Sequence, residues 1–158
     1  MMAVLAWLES SGVSTWVREG ETIWAYPTIL TLHTFGMGLL VGASAVIDLR
    51  LLGIGRGLAL APMRSLFNVM WGGFWLNLVT GSMLFAADAT RRGVDPLFIT
   101  KLVFVAIGVS TVVLIRRNAF DAAGEPVAAG LSPKALAVLS LGAWIAAVTS
   151  GRLLAYVS

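Results

Sequence analysis

The stretch Ile23–Ile47, IWAYPTILTLHTFGMGLLVGASAVI, decides how this chain folds. Its only ionisable groups are Tyr26, whose phenol stays neutral at ordinary pH, and His33 near its middle. About 20 apolar residues cross roughly 30 Å of hydrocarbon at the helical rise, so the stretch is long enough to span a bilayer. No water is available there to satisfy backbone groups, which dictates a helix. His33 is the only histidine in the chain. An imidazole at such depth is costly unless a partner or a cofactor uses it, and it marks a candidate functional site.

Working outward, the first apolar segment covers Glu21–Leu49, and three more follow at Ser65–Ala87, Leu97–Ile115 and Pro133–Val157. Hydrophobic residues make up 58% of the chain and charged ones 12%, against roughly 25% charged in an average soluble domain. None of the segments alternates with period two, which argues against a barrel. The pattern predicts an all-α protein, a four-transmembrane-helix bundle over residues 21-158. Residues 1-20 form a separate N-terminal segment. There Val4, Leu5, Trp7 and Leu8 are followed, after a Ser-Gly break, by Trp16 and Val17. Without a basic leading region this is not a signal peptide, and it reads as two short interfacial helices with tryptophans at headgroup level.

Punctuation falls between the segments: Gly53 to Gly57 with Pro62, Arg91 to Pro96, and Asp121 to Gly130 with Gly124 and Pro126. Cysteine is absent, which excludes disulfides and thiolate chemistry. The net charge is +3, but the basic residues sit singly or in pairs at the ends of apolar runs, as in membrane proteins, so nucleic acid is not an expected partner. Arg18, Arg91 and Arg92 fall on one side; Arg50, Arg56, Arg64, Arg116, Arg117 and Lys134 fall on the other. That bias places both termini outside the cytoplasm.

Helix geometry aligns Met70, Gly73, Asn77, Thr80, Gly81 and Asp88 on the second span, and Lys101, Phe104, Val105, Gly108 and Val112 on the third. On the fourth it aligns Ile145, Val148, Thr149, Arg152 and Tyr156. Each stripe is expected to face a common interior, with Trp75 and Val79 turned toward lipid. Counting from Trp24, His33 lies about 14 Å inward, and Asn77 about 16 Å inward of Asp88. Lys101 and Arg152 are only about 6–8 Å deep. Gly38 and Gly42 form a small-xxx-small pair nearly opposite His33. Asp48 and Arg50 read as an interfacial charge pair.

Two readings of this layout stand side by side. In one, His33 hydrogen-bonds Asn77 or a backbone carbonyl, while Arg152 and Lys101 pair with Asp88 or reach the interface. In the other, His33 is the axial ligand of a haem b iron, with Lys101, Arg152 and Tyr156 as contacts of the propionates or counter-ions. No second histidine exists, and Met37, Met70 and Met83 are badly placed as a sixth ligand, so a five-coordinate or shared haem is the form expected. Alternative functions are a small transporter or proton-path protein, lined by His33, Asn77, Thr80, Asp88 and Lys101, and a structural accessory subunit of a larger membrane complex. The expected partners are the lipid bilayer and either a homo-oligomeric copy or such a complex.

The runs Leu32-His33-Thr34-Phe35-Gly36 and Asp48-Leu49-Arg50-Leu51-Leu52-Gly53 resemble the signature of an uncharacterised family of bacterial four-helix membrane proteins. So do Thr80-Gly81-Ser82-Met83-Leu84-Phe85 with Asp88, Phe98 followed by Lys101-Leu102, and Gly151-Arg152-Leu153-Leu154-Ala155-Tyr156. The resemblance implies a multi-pass protein of the bacterial cytoplasmic (inner) membrane. More remotely, a first-span histidine followed by glycines and a lysine opening a later span resemble HemJ-type protoporphyrinogen oxidases and CopD-type copper-resistance proteins. The former resemblance implies haem b bound through His33 and a dependence on Lys101. The chain departs from both groups in its single histidine, and its six methionines do not cluster as a soft-ligand ladder.

Overall fold

A computed structural model describes residues 2–22, 24–55, 57, 59, 61–121 and 132–157. The helices are α1 (Met2–Glu9), α2 (Gly12–Glu19), α3 (Tyr26–Leu51), α4 (Leu66–Ala86), α5 (Ala89–Arg92), α6 (Pro96–Ile115) and α7 (Pro133–Val157). No strand occurs among the described residues. A 3-10 turn over Ala61–Ser65 leads into α4, and a π turn over Arg116–Asp121 extends α6. Arg56 and the loop positions Gly124 and Pro126 lie outside the described residues.

Helix starts follow local chemistry. Pro27 opens α3, where its missing N–H costs nothing. Asp95 caps α6, its carboxylate accepting from the Leu97 N–H at 2.8 Å, with Pro96 at the first helical position. Ser11 caps α2 in the same way, accepting from the Ser14 N–H. α3, α6 and α7, and α4 together with its leading turn, are long and apolar enough to cross a membrane. The chain thus has the make-up of an all-α, multi-pass integral membrane protein.

The spans pack as two close antiparallel pairs, α3 with α4 and α6 with α7, joined where α3 meets α7. Glycine sets the first pairing. A Cβ on Gly73 would stand 2.7 Å from the Gly36 carbonyl oxygen and 2.8 Å from the Leu40 nitrogen, so only glycine lets these backbones approach. In the second pair, a Cβ on Gly108 would meet the Trp144 ring at 2.8 Å. Leu40, Ile47, Phe67, Met70, Val112, Ile115 and Trp144 fill the interior toward the end of the bundle away from His33. Near the other end, Phe85 and Phe98 stack at 5.3 Å between ring centroids and join α4 to α6. Trp75 and Val79 are more than half exposed, as a lipid-facing surface requires.

One helix turns the other way from expectation. Ile145, Val148, Thr149, Arg152 and Tyr156 lie on the exposed side of α7, Tyr156 at 73%. The packed side carries Leu136, Ala137, Ser140, Ala143, Trp144, Ala147 and Ser150. Small side chains let α7 approach its neighbours, and that outweighs the pull of a few polar groups inward.

The N-terminal segment docks on the end of α4 and on α5. The Ser14 hydroxyl donates to the Ala86 carbonyl at 2.9 Å. Glu9 accepts from the Thr90 hydroxyl at 2.6 Å and from the Thr90 N–H at 2.9 Å. Leu5 packs on Gly93, where a Cβ would stand 2.7 Å from its methyl.

Candidate functional site

His33 projects from α3 toward α4, and the Gly36–Gly73 contact one turn away fixes what it meets. Its Nδ1 lies 3.0 Å from Thr80 Oγ1. Thr80 is buried, and its hydroxyl donates to the Leu76 carbonyl at 2.6 Å. A hydroxyl has one proton to give. With that proton on Leu76, Thr80 Oγ1 faces His33 as an acceptor, so Nδ1 carries the N–H. The neutral ring then presents Nε2 as a bare lone pair, the state a metal-ligating imidazole needs. Gly81 leaves room beside the ring, since a Cβ there would stand 3.1 Å from His33 Cε1.

Lys101 on α6 faces the interior, within electrostatic range of the imidazole. Its stem lies along Gly151 of α7, where a Cβ would stand 3.4 Å from Cε and 3.6 Å from Nζ. The charged neighbour that acts on the ammonium is Arg92, a like charge. No carboxylate pairs with Lys101 among the described residues. Asp88, the carboxylate expected to serve Lys101 and Arg152, instead pairs with Arg92 at 3.2 Å, one helical turn along. Arg152 is exposed and stacks over the Tyr156 ring at 5.5 Å, away from His33.

The structure thus brings His33, Thr80 and Asn77 together, with Lys101 within electrostatic range of the imidazole, and leaves Arg152 and Tyr156 on the outer surface. Asn77 does not receive the imidazole on its side chain. Its amide donates to the Gly73 carbonyl at 3.1 Å, and its Oδ1 is buried without a donor. The site holds one imidazole base and one ammonium, and the nearby Asp88 carboxylate is already paired, so its chemistry favours a ligand that takes a nitrogen lone pair and carries negative charge. A cleft of about 360 Å³ lined by Thr31, Thr34, Phe35, Gly38 and Leu39 lies on the opposite side of α3 and has no part in this site. Gly38 and Gly42 open onto that same unoccupied face.

A second polar cluster was not singled out by sequence. Asp48 is buried at 1% exposure and is no partner of Arg50. Its Oδ2 accepts from the Ser44 hydroxyl at 3.3 Å, Ser44 Oγ lies 3.3 Å from Ser140 Oγ, and the Trp144 indole N–H donates to Ser44 Oγ at 3.0 Å. The signal lay in two i,i+4 pairs, Ser44 with Asp48 and Ser140 with Trp144, which put polar groups on one face of each helix. Comparison with protein-family models, with characterised proteins and with solved structures finds no match to this chain.

Proposed function

We propose that this chain is a haem-b-binding protein of a bacterial cytoplasmic membrane, with His33 Nε2 as the axial ligand and both termini outside the cytoplasm. The observation that carries the reading is the Thr80 hydroxyl. By spending its proton on Leu76 it holds the His33 N–H on Nδ1 and leaves Nε2 free. The donor set fits the group on one face: an imidazole lone pair at depth, and an ammonium at Lys101 with no carboxylate of its own for a propionate to meet. Bound haem would supply one-electron chemistry. The chain's own residues would orient the imidazole, neutralise the propionate and exclude water. Arg152 and Tyr156 drop out as inward contacts, because both lie on the exposed side of α7.

Met70 is buried in the apolar interior at the other end of the bundle. Met37 shares a helix with His33. Neither would hold the group together with His33. The resemblance of His33 and Lys101 to HemJ-type proteins also points to haem.

A visible spectrum of the detergent-purified full chain, titrated with haem, tests the reading. Saturable binding at one haem per chain, with a Soret band lost in His33→Ala, is expected. A colourless protein that takes up no haem, or a band unchanged in His33→Ala, would refute it.

A further inference from the structure

Asp48 lies on α3, fifteen residues beyond His33, or about 22 Å at the helical rise. It belongs to the other end of the bundle and plays no part in the proposed haem site. Its carboxyl is sealed from solvent within a segment apolar enough to span a membrane. Among the described residues no lysine or arginine pairs with it, and its Oδ1 has no hydrogen-bond partner.

As an acid, a proton on Oδ2 would find Ser44 Oγ, but Oδ1 would still lack a donor. As a carboxylate, Oδ1 lacks a donor and the charge lacks a counter-charge. A water molecule would satisfy the oxygen and leave the charge uncompensated in apolar surroundings. A cation answers both needs.

The oxygens around Asp48 are spaced for one. Ser44 Oγ stands 3.3 Å from Asp48 Oδ2 and 3.3 Å from Ser140 Oγ. Hydroxyl hydrogen bonds cluster at about 2.7–2.8 Å. A hard cation with ligands about 2.3–2.6 Å away sets neighbouring oxygens roughly 3.3–3.7 Å apart. Each serine could turn its proton to the carbonyl one turn back, as helical serines commonly do, and free a lone pair for the ion. Trp144 holds Ser44 in place from the α7 side through its indole N–H.

Charge selects the valence. The carboxylate of Asp48 balances one positive charge, and no group of three His, Cys, Asp or Glu occurs among the described residues to balance a divalent ion. We infer that Asp48, Ser44 and Ser140 form a binding site for a small monovalent hard cation of the Na⁺ class, locking α3 against α7.

Thermal melting of the purified full chain at mildly alkaline pH tests this, with NaCl replaced stepwise by choline chloride at constant ionic strength. A saturable Na⁺-dependent rise in Tm is expected, absent in Asp48→Asn, with the Na⁺ midpoint raised about tenfold in Ser140→Ala. Identical melting in Na⁺ and choline would overturn the site in favour of a protonated or water-bound carboxyl. A Na⁺ response that survives Asp48→Asn would overturn it too. Should Asp48→Asn fail to fold, Ser140→Ala decides: a raised midpoint supports the site, and an unchanged one refutes it.

Discussion

Thr80 sets the proton position on His33, because its own single proton is already committed to Leu76. Thr80→Val keeps the shape and removes the acceptor, freeing the ring to turn and to change tautomer. Haem affinity is expected to fall roughly 10–100-fold, the usual effect of removing a ligand's orienting partner. Thr80→Ser is expected to stay close to wild type in the same optical titration. A Thr80→Val protein with unaltered affinity would mean that Thr80 only packs. Sequence marked His33, since a lone imidazole in hydrocarbon stands out against any background. It placed Thr80 on the correct stripe and missed its role as a partner, because that depends on the relative height of α3 and α4. The Gly36–Gly73 contact fixes that height. Asp48 misled for a related reason: its neighbour Arg50 suggested a pair, whereas its partners come from one turn back and from a distant helix.

Between elements, glycines that touch backbone differ sharply from glycines that touch nothing. Gly73→Ala would push a methyl into the Gly36 carbonyl and the Leu40 nitrogen, neither of which can swing aside. The cost expected is about 1–3 kcal/mol, the range for overpacking. Gly38→Ala and Gly42→Ala meet nothing within 4 Å and should stay within about 0.5 kcal/mol of wild type. Equilibrium unfolding in mixed micelles separates the two outcomes, and a Gly38→Ala effect as large as that of Gly73→Ala would contradict this packing. The four spans were readable from length and apolarity. So were the inward faces of α4 and α6, where polar and small residues coincide. On α7 they diverge: Arg152 and Tyr156 stripe one side, Ala137, Ser140, Ala143 and Ala147 the other, and close packing chose the small side.

At the scale of the whole molecule, the N-terminal helices close over one end of the membrane domain through Glu9. The Thr90 hydroxyl, the Thr90 N–H and nearby Arg18 hold the Glu9 carboxyl below its usual value of 4.5. The charged form is therefore the one that favours docking. Its contribution is present above pH 4.5 and is lost as the pH falls through the lowered folded value. Hydrogen exchange of the α1 amides should show protection falling on acidification below 4.5 in wild type and a flat, weaker protection in Glu9→Gln. Equal profiles would remove Glu9 from the latch. Sequence divided the chain at this point, yet not the tie itself, since Glu9 and Thr90 stand 81 residues apart.

The proposed function depends on which nitrogen of one imidazole bears the proton, and a chain with a single histidine reports it without ambiguity. In protein labelled with ¹⁵N-histidine and held in lipid at neutral pH, the two ring-nitrogen signals give the tautomer directly. The expected result is a protonated Nδ1 and a bare Nε2, with the Nε2 signal shifting when haem is added. A proton on Nε2, or an imidazolium with both nitrogens protonated, would contradict it.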